Sequence, residues 1–374
     1  MKNKKTIKLS KSCIGKSEIY AVSNVLKNEY LGMGEQVKEF ENKLSAFFGR
    51  PTVCVVNGTA ALHLSVEALG ISEGDEILIQ SLTYVASVQA ISATNAKPIF
   101  CDIDPRTLTI DLDDAEKRLT KRTKAIMPVH YAGGVGRLKD IYLFAQKHNL
   151  RVIEDAAHAF GTIYNKKLVG SFGDIACFSF DGIKNITSGE GGCIVTNNED
   201  LIKKIKDLRL LGVEKDTENR FSGKRSWEFD VKNQGWRYHM SNLMAAIGTE
   251  QLKRIDEFSN KRRCLSKLYY KFLSNLEPIN LPEIDYENVL MHIFPILLDE
   301  SLNRENIRSE LLKKGIQTGI HYFPNHLLSF YKSKSIVDLK NTESIYPRLV
   351  TLPLHPDLSE EDIRYIVNCL TNLI

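Results

Sequence analysis

The sequence predicts an α/β protein: a large domain built on a mostly parallel seven-stranded sheet between helices, followed by a smaller α+β domain at the C-terminus. Three observations predict it. The chain has 374 residues, too long for one ordinary core, which points to two domains. Between Pro51 and Thr196, short apolar runs alternate with stretches of helical spacing. After Pro278 that alternation gives way to a different mix of short strands and helices. The expected division is 1–250 for an N-terminal segment and the large domain, and 251–374 for a connecting helix and the small domain.

Ahead of the sheet, Val37, Phe40, Leu44, Phe47 and Phe48 form an amphipathic stripe, which predicts a helix docked onto it. The strand candidates are TVCVVN, EILIQ, KPIFCD, KAIMPV, RVIED, IACFSF and CIVT. Their near-continuous apolar character is that of strands covered on both faces. Helical spacing separates them, as in Ala60, Leu62, Leu64, Val66 and Leu69, or in Ile141, Phe144 and Ala145 before an HNL that ends the helix. A long helical stretch from about Ser241 to Leu276, carrying Leu243, Ala246, Ile247, Leu252, Ile255 and Phe258, reads as the connector. Beyond Pro278 the expected elements are strands in HIFPILL and IQTGIHY, with helices over Asn303–Lys314 and Ser359–Leu373.

Hydrophobic residues are 43% and charged residues 26%, which excludes an extended disordered chain. Lys and Arg number 50 against 46 Asp and Glu, with no long single-sign block. That balance argues against nucleic acid and acidic membrane as partners and leaves small anionic ligands open. No run approaches the roughly 18 apolar residues of a membrane span; the best, Val289 to Leu298, is interrupted by His292 and Pro295. The basic N-terminus reaches no apolar segment long enough for a secretory signal, so a cytoplasmic location is expected. The 7 cysteines contain no CxxC pair and read mostly as small core residues in a reducing compartment.

Three signals fall just past strand ends, where open α/β sheets bind ligands. Asn57, Gly58, Thr59 and Ala60 lie between VCVV and a helix: Gly58 permits close approach, the helix end offers N–H groups, and Thr59 adds a hydroxyl, a set suited to a phosphate. The same residues also make a good turn and helix cap. Glu154 and Asp155 close the strand RVI, where a carboxylate either holds a protonated ring nitrogen or caps the segment AAHAFG behind it. Lys184 comes after the strand IACFSF, beside a Ser/Gly-rich loop. It is either a solvated surface cation or an amine whose lowered pKa suits it to attack a carbonyl. Phosphate, basic ring nitrogen and aldehyde together describe pyridoxal 5′-phosphate.

The strings NGTAALHL, GDEILIQSLTYVAS, RTKAIMPVHYAG, VIEDAAHAFG, GSFGDIACFSFDGIKNITSGEGGCIVTN and MSNLMAAIGTEQL resemble, in order, those of the sugar-nucleotide aminotransferases, the DegT group of fold-type I pyridoxal phosphate enzymes. The resemblance runs from about Tyr30 to the C-terminus. It implies that Lys184 forms the Schiff base with the cofactor and then shuttles the proton. It further implies that Asp155 keeps the pyridine nitrogen protonated, that His158 stands against the ring hydroxyl, and that Gly58, Thr59, Ala60 and Ser179 contact the phosphate. Tyr84 matches the aromatic stacked on the ring, against the plainer reading of a core aromatic. His321, Tyr322 and Glu190 would line the substrate site, although His321 reads equally as structural. His321 and His326 are two histidines on one loop, but no Cys or carboxylate completes a ligand set, and no metal is expected.

One motif departs from the resemblance. Where most relatives read GYNYRM, this chain reads Gly235, Trp236, Arg237, Tyr238, His239, Met240. The relatives' Asn crosses a dimer interface to the partner's cofactor phosphate; Arg237 stands in its place, and His239 replaces an Arg. The resemblance thus implies a homodimer with active sites at the interface, aminating a keto sugar with L-glutamate as donor. The expected substrate is a nucleotide-linked 4-keto-6-deoxyhexose, for surface polysaccharide or glycoside biosynthesis. The alternatives are a non-nucleotide keto sugar or cyclitol, a sugar dehydratase, and a non-catalytic protein on the same scaffold. The dehydratase branch has His where this chain keeps Lys184, and a binder has no need of Lys184, Asp155 and the phosphate loop together.

Overall fold

The computed structural model describes residues 6–332 and 337–374. The strands, in chain order, are β1 (Thr52–Val55), β2 (Glu76–Gln80), β3 (Lys97–Cys101), β4 (Thr123–Met127), β5 (Arg151–Asp155), β6 (Ile163–Tyr164), β7 (Lys167–Leu168), β8 (Ile175–Ser179), β9 (Gly192–Thr196), β10 (Ile279–Asn280), β11 (Phe294–Leu298) and β12 (Leu349–Leu352). All seven strand candidates are found, and they form one 7-stranded sheet in the order β1-β9-β8-β5-β4-β2-β3. Only β9 runs against its neighbours.

Alternate residues of these strands enter different cores. Ile77 and Ile79 of β2 pack under the helices Gly58–Ala68 and Val85–Ser92, while Leu78 packs with Ile141 and Phe144 of the helix Leu138–His148 on the opposite face. Burial on both sides is why the strands read as unbroken apolar runs. The Leu138–His148 helix ends at Asn149 in the left-handed conformation (φ 53°), matching the HNL signal. The stripe ahead of the sheet is the helix Glu35–Phe48; Phe40 and Phe48 pack against Phe180 and Phe178 of the strand and turn that lead to Lys184.

The smaller C-terminal unit holds the antiparallel sheet β10-β11-β12 with the helices Arg304–Lys313 and Glu360–Thr371 against it. Asn303 and Ser359 cap those helices through their side chains, which explains their early legibility. Two expectations are corrected. The connector is two helices, Asn242–Lys253 and Ile255–Leu273, broken at Arg254 (φ −98°, ψ 9°), whose guanidinium is held by Glu18 and Glu257. IQTGIHY is not a strand: it makes isolated bridges, Ile7 with Ile316 and Gly319 with Thr351, then turns away, and Leu349–Leu352 supplies the third strand instead.

All 7 cysteines are free; Cys54, Cys101, Cys177, Cys193 and Cys369 are buried. Among the described residues no helix is long and apolar enough to cross a membrane.

Candidate active site

Because β1, β2, β5 and β8 share one direction, their carboxyl ends open onto one edge of the sheet. There a cleft of about 440 Å³ is lined by Gly58, Thr59, Tyr84, Asp155, His158, Ser179, Lys184, Glu190, His321 and Tyr322 together. Ala60 and Arg237 are outside it.

The first wall is the start of the Gly58–Ala68 helix. Asn57 caps it by accepting the Ala60 N–H at 2.8 Å, so Ala60 is committed within the helix end while Gly58 and Thr59, in the first turn, line the cleft. Gly58 is required by contact: a Cβ there would lie 2.8 Å from Cβ of Ser179, at the end of β8. The helix end and the Ser179 hydroxyl therefore converge on one spot.

Asp155, at the end of β5, is buried; its Oδ2 accepts the Ser87 hydroxyl at 2.6 Å and its Oδ1 the Ala157 N–H at 3.2 Å. Glu154, one residue earlier, faces the opposite side of the sheet and is bonded to His130 (2.7 Å) and the Tyr142 hydroxyl (2.5 Å). Of the two carboxylates at this strand end, Asp155 is thus the one in the cleft.

Lys184 sits on the turn after β8, held by Asn185, whose amide donates to the carbonyls of Phe160 (3.0 Å) and Leu290 (3.2 Å). Its Nζ stands 3.5 Å from His292 Nε2. Burial lowers the amine to about 8, against the pull of Asp155 and Asp181 upward. His158 is buried with Nε2 3.0 Å from the Tyr322 hydroxyl and Nδ1 without a protein partner. Burial, then Lys184 and His321, hold its ring well below the usual range and hence neutral.

Tyr84 is 58% exposed at the cleft wall with its ring 5.5 Å from that of Tyr322, so it is not a core aromatic. His321 bonds Thr351 through Nδ1 at 2.8 Å, and its carbonyl accepts the Tyr131 hydroxyl. His326 turns away from it to Ser81 (2.7 Å) and Glu343 (3.2 Å). Burial and Asp181 raise the carboxyl of Glu190. Arg237 is exposed, on a segment bridged to Leu210 whose next residues pair with β1: the Tyr238 carbonyl accepts the Val56 N–H at 2.7 Å. His239 beside it is pushed down to about 4 by burial and by Arg220, Arg237 and Arg209.

A buried amine of lowered pKa, a buried carboxylate and a helix N-terminus around one cleft define a pyridoxal-phosphate-type transferase. Residues 12–371 match the DegT/DnrJ/EryC1/StrS aminotransferase family, and the chain belongs to it. The chain is 35% identical over 371 residues to the spore coat polysaccharide biosynthesis protein SpsC of Bacillus subtilis, covering 96% of this chain and 95% of that one. Its structure matches Spr1654 of Streptococcus pneumoniae, described as a sugar aminotransferase and solved in its PMP form, with a TM-score of 0.92 at 29% identity over 98% and 97% of the two chains. It also matches PseC of Helicobacter pylori, an aminotransferase involved in the biosynthesis of pseudoaminic acid, with a TM-score of 0.91 at 28% identity over 99% of each chain. The protein is a transaminase with pyridoxal 5′-phosphate as cofactor. Its cleft fits that group: the helix end at Gly58 and Thr59, the buried His158 Nδ1, which has no protein partner, and the buried Lys184 amine line it together.

Three contacting residues escape sequence reasoning: Ser87, Asn185 and His292. Ser87 and Asn185 lie inside family-like strings without a signal of their own, and His292 shows only as an interruption of an apolar run.

Proposed function

We propose that this chain works as a homodimer converting a nucleotide-linked 4-keto-6-deoxyhexose to the amino sugar with L-glutamate as donor, in the cytoplasm, for surface polysaccharide or glycoside biosynthesis. The observation that carries the reading is the convergence of Lys184, Asp155 and the Gly58–Thr59 helix end in one cleft. Family membership and the polysaccharide and amino-sugar pathways of SpsC and PseC support the substrate class. Free cysteines suit a reducing compartment.

The cofactor supplies the electron sink and carries the amino group between the two substrates. Lys184 Nζ would hold the cofactor through its aldehyde, and as a free amine it would serve as the base and acid that moves a proton at the donor's α-carbon and at the acceptor sugar's carbon. An amine lowered to about 8 is partly unprotonated at neutral pH, as a base must be. Asp155 holds the proton on the ring nitrogen by a charge-assisted hydrogen bond. His158 would orient the ring hydroxyl, Tyr84 would stack on the ring, and Gly58, Thr59 and Ser179 would hold the phosphate. Ala60 supports that loop through its bond to Asn57. His321, Tyr322 and Glu190 line the sugar's side of the cleft, and Arg237 of a second copy completes the anion site.

The test is a panel of keto sugars, nucleotide-linked and free, assayed for 2-oxoglutarate release from glutamate. Turnover confined to nucleotide-linked substrates is expected. Turnover only with free sugars or cyclitols would overturn the nucleotide assignment, and an amino donor other than glutamate would overturn the donor.

A further inference from the structure

His292 lies in the C-terminal half of the chain, 108 positions from Lys184, yet its ring nitrogen comes within hydrogen-bond reach of the lysine's amine. It is buried at 3% exposure just ahead of β11. Its backbone is pinned on both sides: the N–H donates to the Ala132 carbonyl at 3.1 Å, and the carbonyl accepts Arg262 Nη1 at 3.1 Å. Arg262, 1% exposed, donates to the Met291, His292 and Leu354 carbonyls and has no carboxylate partner among the described residues. The His292 ring lies 4.5 Å from that of His158. A fully buried arginine that ties the carbonyls of His292 and the residue before it to that of Leu354 holds the histidine's backbone in place.

We propose that His292 is a positioning residue for Lys184: its Nε2 accepts an N–H of the lysine and aims the amine at the reacting carbon. The lysine's four-carbon stem needs such a hold, because the amine must leave the cofactor and then act from a defined place. As an ammonium the lysine can only donate, so in that state the contact is made to an unprotonated Nε2. The surroundings agree. Burial, then Lys184, His158, Arg262 and His321, keep the His292 ring well below its usual range. Asp155 from β5 and Asp181 on the lysine's own turn are the carboxylates that face Lys184, and both act on the lysine in the opposite sense.

The inference rests on Lys184 being the cofactor lysine, and the experiment separates the two. Protein freed of cofactor is mixed with pyridoxal phosphate, quenched with borohydride at intervals, and the labelled peptide is identified. His292→Phe keeps the ring's bulk and its contact with His158 but removes the nitrogen; His292→Gln puts a polar atom near the Nε2 position. Labelling at Lys184 is expected to slow by about tenfold or more in His292→Phe and to stay within a few-fold of the parent in His292→Gln, since misplacing a reacting group by about 1 Å can cost about 100-fold. Equilibrium retention of cofactor should change little in either. Turnover should show the same order, with kcat falling and KM for the donor unchanged. His292→Leu replaces the Phe variant, with the same expectation, if that variant fails to fold. A role in packing alone predicts the reverse order, Phe tolerated and Gln not, and that result, or equal rates in all variants, overturns the proposal. Parent protein labelled on another lysine would instead overturn the assignment of Lys184.

Discussion

The Ser87 hydroxyl donates to Oδ2 of Asp155 at 2.6 Å. Ser87 lies in the first turn of the helix after β2, while Asp155 ends β5, with β4 between the two strands. The bond therefore spans the cleft floor and fixes which way the carboxylate points. Thr83, 2.9 Å from the Ser87 hydroxyl, fixes the hydroxyl in turn.

Asp155→Ala should slow proton abstraction by at least about 10² to 10⁴, the usual worth of general acid–base effects, because an unprotonated pyridine is a poor electron sink. Ser87→Ala removes only one bond to a charged group, about 1.5–3 kcal/mol at most, and should cost about tenfold. Single-turnover rates with glutamate measure both. Equal losses, or Asp155→Ala within a few-fold of the parent, would reduce Asp155 to a cap of the segment behind it.

The seven strands were legible because burial on both faces leaves no polar alternation to mislead the eye, as at Ile77, Leu78 and Ile79. The break at Arg254 was hidden because Leu252, Ile255 and Phe258 keep apolar spacing straight through it. IQTGIHY reads as a strand because β-branched and aromatic residues are concentrated in it, but only Gly319 finds a partner on β12 before His321 and Tyr322 reach the cleft. At the site, the residues proposed to touch a ligand carry motifs, whereas Ser87, Asn185 and His292 touch other side chains or backbone across large sequence separations. No local pattern encodes such contacts.

Gly58→Ala isolates the close approach of the helix end to β8. The added Cβ would meet Cβ of Ser179 at 2.8 Å and its Oγ at 3.2 Å. Overpacking of this kind costs about 1–3 kcal/mol, and relief by a shift of the helix end would move it off the proposed phosphate position. Cofactor affinity, measured by equilibrium dialysis, should weaken by about tenfold or more while the fold persists. Unchanged affinity would separate the Gly58–Ser179 contact from cofactor binding.

As the proposed cofactor lysine, Lys184 should tie both cofactor capture and apoprotein stability to pH. Burial brings its amine to about 8 from the ordinary 10.5, so between those values the unfolded chain binds more protons than the folded one. Stability from this group therefore rises with pH across that window and is lowest below it. Lys184→Met should raise the melting temperature of apoprotein at pH 7, and its advantage over the parent should shrink toward pH 10.5. The parent's rate of borohydride-reducible attachment should climb through about pH 8, and the Met variant should show none at this position. An advantage that is independent of pH would mean that the amine is not desolvated in the folded protein.

Arg237 lies outside this chain's own cleft. The lining residues bring three carboxylates, Asp155, Asp181 and Glu190, against the single cation Lys184, the proposed anchor of the cofactor aldehyde. A site for a phosphate and an anionic substrate needs positive charge from elsewhere, and Arg237 is exposed with a guanidinium that offers a fork of donors. If it binds the cofactor phosphate of a second copy, Arg237→Ala should weaken cofactor retention by about tenfold or more, the worth of a bond to a charged group. If it binds the substrate's anion, KM for the sugar should rise instead. Mixing decides whether it acts across an interface. In a heterodimer of Lys184→Ala and Arg237→Ala subunits, one site regains both parent residues only if Arg237 serves the neighbouring subunit. Part of the activity should then return. No return, with subunit exchange verified by mass, would leave Arg237 acting within its own chain.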